Sequence, residues 1–143
     1  MASAVGLSSC DKNNPYLGEC YIPEIAVNQV INLSLPEYFK LRNIGEFVYL
    51  TGGNRGIFLI HNYDDVFYAL ERTCPYQSDV ECAKVSLDST TLQLKCGSYV
   101  DTGFVECCTS KYTLDGRVTE GPSKCNLRFY QISIQGDNLF INN

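Results

Sequence analysis

The sequence predicts an all-β antiparallel fold on three observations. Short apolar runs recur along most of the chain, at 47–50, 57–61, 66–70, 84–87, 92–95, 104–107, 112–114, 127–134 and 139–141. Turn signals separate them: Gly52-Gly53-Asn54, Asn62-Tyr63-Asp64-Asp65, Asp88-Ser89-Thr90, Asp101-Thr102-Gly103, Asp115-Gly116 and Gln135-Gly136-Asp137. The composition suits pleated surfaces, with 10 Tyr and 7 Phe against one Met and no Trp. Many short strands with regular turns describe a β-sandwich or barrel.

The elements follow in order. Residues 1–24 read as a leader and tether, and 25–143 as one domain. Ile31-Asn32-Leu33-Ser34-Leu35 alternates apolar and polar, as a half-buried strand does. Residues 35–41 form the one short-helix candidate. Ser34 is placed to cap it, Pro36 suits its first turn and Gly45 lies just past its end. Along 127–134 the apolar parity changes between Phe129 and Tyr130, which predicts a bulge or a strand shared between two sheets. A chain of 143 residues is one domain by length and buries roughly 70% of its unfolded surface.

The net charge of −5 argues against nucleic acid as a partner, because that interaction needs a basic patch. Eight cysteines stand at 10, 20, 74, 82, 96, 107, 108 and 125, more than a reduced cytosolic protein usually carries. Their first reading is structural disulfides in an oxidising compartment, with a connectivity that spacing alone leaves open. Leu7-Ser8-Ser9-Cys10 resembles a bacterial lipobox, in which the cysteine becomes lipidated. Asp11-Lys12-Asn13-Asn14-Pro15 then reads as a polar tether. The stretch before Cys10 is short and lacks Lys and Arg, unlike a full signal peptide. The expectation is a periplasmic or outer-membrane lipoprotein of the cell envelope, held to the membrane through Cys10. No run of 18 apolar residues is present to span a bilayer.

Several segments in sequence order resemble the Rieske-type iron–sulfur domains. Arg72-Thr73-Cys74-Pro75-Tyr76 is similar to the first cluster loop of that family, Cys-x-His. Thr109-Ser110-Lys111-Tyr112 followed by Asp115-Gly116 is similar to the continuation of the second loop, Cys-x-x-His-Gly-Ser-x-Phe. Gly121-Pro122-Ser123 is similar to the family's Gly-Pro segment, and Leu127–Ile132 with the closing hairpin through Ile141 fits its end. The resemblance covers roughly 25–143 and implies a Rieske-like antiparallel β-sandwich with a cluster-loop subdomain.

The same resemblance implies a degenerate cluster site. A Rieske [2Fe–2S] cluster takes two His on one iron and two Cys on the other. This chain has a single His, His61, upstream of both loops. Two alignments of the second loop are available. One places the ligand positions at Cys74, Tyr76, Val105 and Cys108 and runs without a gap into Ser110, Asp115-Gly116 and Gly121-Pro122. The other uses Cys96 and Tyr99 and needs an extra hairpin over 99–108. The first of these is favoured. Valine cannot ligate, and a phenol with a pKa near 10 is a costly ligand. No Cys-x₂₋₄-Cys pair occurs twice among Cys74, Cys82, Cys96, Cys107 and Cys108, so the expected cofactor and metal content is none. In place of a cluster, a disulfide is expected across the loops, from Cys74 to Cys96 or Cys108. Closing a loop of that length stabilises by on the order of 3–4 kcal/mol. The loop-bridging disulfide of some Rieske proteins implies a second candidate, Cys82 with Cys107 or Cys108.

Other constellations are plainer. Asp64-Asp65 reads as a turn, and Gly52-Gly53-Asn54-Arg55-Gly56 as a hairpin loop, since no helix follows to complete a phosphate cradle. Glu71 is a candidate base beside Cys74, but no His is positioned to activate a thiol. Tyr76, Tyr99 and Tyr112 are candidates for a binding surface near the loop tips. The expected function is therefore a non-catalytic structural or interaction module of the envelope. The alternative is an electron-transfer protein holding a [2Fe–2S] or other cluster through cysteines.

Overall fold

A computed structural model describes residues 20–143. The proposed leader, the tether residues before 20 and the lipidation candidate Cys10 lie outside the described residues. Ten strands form two antiparallel sheets. The larger is ordered β1-β10-β9-β4-β3-β2, from Asn28–Asn32 (β1), Phe47–Leu50 (β2), Ile57–His61 (β3), Phe67–Glu71 (β4), Phe129–Gln135 (β9) and Asn138–Asn142 (β10). The smaller is ordered β5-β6-β7-β8, from Val85–Asp88 (β5), Gln93–Val100 (β6), Gly103–Tyr112 (β7) and Val118–Glu120 (β8).

β3 organises the core because all five of its residues are buried. A strand sends alternate side chains to opposite faces. Phe58 and Ile60 therefore meet Val85, Leu87, Leu94, Cys96 and Tyr112 of the small sheet. Ile57 and Leu59 face the other way, onto Ile31 of β1, Leu139 and Ile141 of β10, and Tyr130 of β9. The large sheet thus folds its β1-β10-β9 half across that face, and the two apolar clusters lie on either side of β3.

The parity change at 127–134 has a specific origin. β9 pairs with β4 through Tyr130 and Phe129, then with β10 from Gln131 to Gln135; both partners belong to the one six-stranded sheet, so the strand is not shared between two sheets as expected. Leu127 precedes the strand. Its N–H donates to the Gly116 carbonyl, and its side chain joins the core against the small sheet.

Four local expectations differ from the structure, the first being the strand expected over 31–35, which is β1 at Asn28–Asn32 with the chain turning from Leu33. The helix expected over 35–41 is a run of turns ending in a 3-10 helix, Phe39–Arg42, with no side-chain cap. Ser34 instead donates from both its N–H and its hydroxyl to Asn32 Oδ1, which closes a turn directly after β1. The run expected at 112–114 ends β7 at Tyr112, and the following strand is Val118–Glu120. Residues 20–24, assigned by sequence to the tether, pack on the domain. A Cys20–Cys125 disulfide holds them, Ile22 is buried, and the Arg128 guanidinium donates to the Ile22 and Pro23 carbonyls.

Candidate functional site

The segment 72–84 leaves β4, loops out and returns through a single bridge between Thr73 and Lys84. Cys74 sits just inside that bridge, its N–H donating to the Ala83 carbonyl and its side chain fully buried. The β6–β7 hairpin lies against this loop. Its register breaks at Cys96: Lys95 opposes Lys111, but Gly97 opposes Glu106. Cys96 alone on β6 therefore faces the four residues Cys107–Ser110 on β7, and the excess bends β7 toward the loop. Gly97 permits this close approach. Its φ is +147°, and a Cβ there would lie 2.3 Å from the Val105 carbonyl oxygen.

The bend sends two adjacent cysteines to different partners. Cys107 bonds to Cys82, tying the hairpin to the loop with a Cα–Cα distance of 5.6 Å. Cys108 turns the other way and joins Cys74 and Cys96. The three Sγ atoms lie within 4.8 Å of one another, with Cys74 and Cys96 buried and Cys108 half-buried. Cys74, expected in a disulfide to Cys96 or Cys108, is instead a free thiol between them.

The polar surroundings bias this group toward a thiolate at Cys74. Its pKa falls to about 6 because the Cys96 thiol donates to it, against the opposing pull of burial. The Tyr112 hydroxyl, the Tyr76 backbone and the Cys108 side chain add to the same effect. Tyr112 Oη lies 3.1 Å from Cys74 Sγ. Cys96 is pushed up in turn, first as the donor to Cys74 and then by burial. Tyr112 is also pushed up, first by burial and then by the charge on Cys74.

The rest of the second loop closes over this centre. Ser110 is buried and its hydroxyl accepts from the Ser123 N–H. Gly121 crosses so close that a Cβ would fall 2.4 Å from Ser110 Cα, at a φ of +90°. Ser110, Tyr112 and Gly121-Pro122 thus act on the segment holding Cys108, and both Cys96 and Cys108 reach Cys74. The two alignments had set those cysteines against each other. The hairpin that one of them required exists, with Tyr99 paired to Phe104 at its tip.

The remaining candidates fall elsewhere. Val105 is 55% exposed and Tyr99 52% exposed, its ring edge-on to Phe104. Tyr76 is half-buried and packs on the core, and Tyr112 is fully buried, so the three tyrosines form no common surface. His61 ends β3, with Nδ1 2.8 Å from the Leu41 carbonyl and Nε2 2.6 Å from Asp65 Oδ1. Asp64 and Asp65 make the turn before β4, where Asp64 accepts from the Val66 N–H.

Glu71 is not free to act as a base. It is completely buried and accepts from the Asn54 and Arg55 N–H groups, the Thr73 N–H and hydroxyl, and the Tyr130 hydroxyl. The glycine-rich loop is an anion cradle after all, but its anion is this internal carboxylate. The Cys20–Cys125 pair also escaped sequence reasoning. Its partners are 105 residues apart, and no local signal joins them.

The donor set does not fit the cluster that such loops hold in Rieske proteins. A [2Fe–2S] centre needs four protein ligands, two on each iron. Of the four loop positions, Cys74 and Cys108 converge, Val105 faces solvent without a donor atom, and Tyr76 offers a half-buried phenol. Three sulfurs within 4.8 Å suit the coordination sphere of one ion instead.

The two sheets, the disulfide-tied loops and the Gly-Pro segment over the second loop define a Rieske-type fold. Among solved structures, the crystal structure of the cyanobacterial plasma membrane Rieske protein PetC3 from Synechocystis PCC 6803 is similar, at 16% identity and a TM-score of 0.54, covering 78% of this chain and 97% of that one. No family model matches the sequence, and no curated protein does. Among the described residues no helix is long and apolar enough to cross a membrane.

Proposed function

We propose that this chain is a cell-envelope Rieske-type domain that no longer carries a [2Fe–2S] cluster and serves as a non-catalytic structural or interaction module. The observation that carries this reading is the incomplete ligand set: Cys74 and Cys108 converge, but Val105 has no donor atom and Tyr76 offers only a half-buried phenol. Val105 lies exposed, and His61 is held in β3 by Leu41 and Asp65. A non-catalytic role is supported by the engagement of Glu71 with five internal donors and of His61 with Leu41 and Asp65. Placement at the envelope is supported by two disulfides, which persist in oxidising compartments, and by the lipobox-like Leu7-Ser8-Ser9-Cys10. The plasma membrane assignment of the similar cyanobacterial protein agrees with it.

The test is the iron, acid-labile sulfide and visible spectrum of protein purified anaerobically. Colourless protein with iron far below one per chain is expected. Brown protein absorbing between roughly 400 and 550 nm, with a paramagnetic signal on reduction, would establish the electron-carrier alternative instead.

A further inference from the structure

We propose that Cys74, Cys96 and Cys108 bind a single thiophilic d10 cation through three sulfurs, with Cu(I) preferred over Zn(II). Three observations carry the inference. The first is geometry. Three sulfurs placed about 2.3 Å from one ion in a trigonal arrangement lie about 4.0 Å apart. The three Sγ atoms already lie within 4.8 Å of one another. The difference to be closed is less than about 1 Å.

The second observation is the chemistry of the donors. The group contains three sulfurs and no imidazole or carboxylate. Soft thiolates select Cu(I), Zn(II) and iron–sulfur clusters over hard cations. A structural Zn(II) site is almost always closed by four protein ligands. The Tyr112 hydroxyl lies 3.1 Å from Cys74 Sγ. A phenol hydrogen-bonded to a ligating sulfur orients that ligand and leaves the coordination three-fold. Cu(I) accepts three sulfurs as a complete set, which sets the preference.

The third observation is construction and access. The three cysteines come from the loop after β4, from the register break in β6 and from the bend in β7. The adjacent Cys82–Cys107 disulfide holds the bend that presents Cys108. Cys108 also forms part of the wall of a cleft of about 260 Å³, lined by Lys95, Phe104, Glu106, Lys111 and Glu120. Cys108 is the half-buried member of the group, while Cys74 and Cys96 are buried. Binding involves no electron transfer. Sulfur lone pairs bond to the ion, and any thiol protons leave to solvent.

This inference rests on the absence of an iron–sulfur cluster, and the two fail separately. Iron and sulfide in the purified protein overturn the proposed function. Cluster-free protein that binds neither ion overturns only the three-sulfur site. The experiment uses the full chain with its disulfides intact, titrated anaerobically with Cu(I) against a bicinchoninate competitor and with Zn(II) against a chromophoric chelator. One Cu(I) per chain is expected, with sulfur-to-copper absorption in the ultraviolet.

Cys108→Ser, at the half-buried position, should weaken binding more than about 100-fold, beyond what loss of an outer contact does. Cys96→Ala should do the same, and Cys10→Ser should leave binding unchanged. Circular dichroism of each variant confirms that it folds. Unchanged affinity in folded Cys108→Ser, or binding lost with Cys10→Ser, overturns the site. A native disulfide between any two of Cys74, Cys96 and Cys108, found by peptide mapping, also overturns it. Tighter binding of Zn(II) than of Cu(I) overturns the stated preference.

Discussion

The Tyr112 hydroxyl lies 3.1 Å from Cys74 Sγ, joining the last residue of β7 to the loop that follows β4 across 38 positions of sequence. Both side chains are fully buried. The contact fixes the depth at which the β6–β7 hairpin meets the first loop, and so the spacing of the three thiols.

Tyr112→Phe keeps the ring in the core and deletes this donor. In metal-free protein the Cys74 pKa should rise from about 6, because a hydrogen bond that favours the thiolate is lost. The pH midpoint of thiolate absorbance in the far ultraviolet reads this directly. The loss in stability should be about 1 kcal/mol, since the hydroxyl and its partner are both buried.

Glu71→Gln should destabilise the domain by on the order of 3 kcal/mol, because a side-chain amide cannot accept from every donor now aimed at the carboxylate. Burial pushes the Glu71 pKa up, but the hydrogen bonds from Tyr130, Thr73, Asn54 and Arg55 outweigh it, so the net direction is down. A carboxylate depressed in the folded state adds stability above its unfolded pKa, near 4.3. That stability is lost as pH falls from there through the folded value. Urea denaturation at pH 7 and at successively lower pH should show this loss in the wild type and a flatter profile in Glu71→Gln.

Removing the loop tie with Cys82→Ala and Cys107→Ala together avoids stray thiols. The disulfide closes a loop of 25 residues. Its loss should cost about 3 kcal/mol and lower Tm by on the order of 10 °C. Calorimetry checks the size. An unchanged Tm would show that the hairpin holds its bend without the covalent tie.

Gly121→Ala should be among the most damaging single substitutions. Its Cβ would fall 2.4 Å from Ser110 Cα, and its φ of +90° is unfavourable for any side chain. The segment over Ser110 would have to move, breaking the bond from the Ser123 N–H. Hydrogen exchange should show faster exchange at Ser123 and across 107–112, with the strands of the large sheet protected as before.

Cys10→Ala in the full precursor should release the protein from the membrane fraction of its native host, if Leu7-Ser8-Ser9-Cys10 directs lipidation. Fractionation with immunodetection measures it. Wild-type protein that is already soluble and retains Met1 would rule out the anchor.

The strands of this protein were legible in its sequence by themselves. Continuous apolar runs bounded by turn residues placed β2 and β3 at the observed bounds. The sandwich follows from the same pattern, and the parity change near Tyr130 coincides with the point where β9 passes from pairing β4 to pairing β10 within one sheet. The short helix was misread because Ser34 and Pro36 start a helix or a turn equally well, and Asn32 captured the Ser34 donors.

The loop resemblance set Cys74 against Cys96 or Cys108, but that all three meet as free thiols was decided by tertiary structure. Ligand-spacing rules find sites whose donors share one local segment, and Cys74, Cys96 and Cys108 share none. They meet because a register break in one hairpin and the return of one loop place three distant points of the chain within 4.8 Å. The Glu71 cradle and the Cys20–Cys125 tie have the same origin. Each joins positions that are near only after the sheets have packed, and local sequence carries no record of that distance.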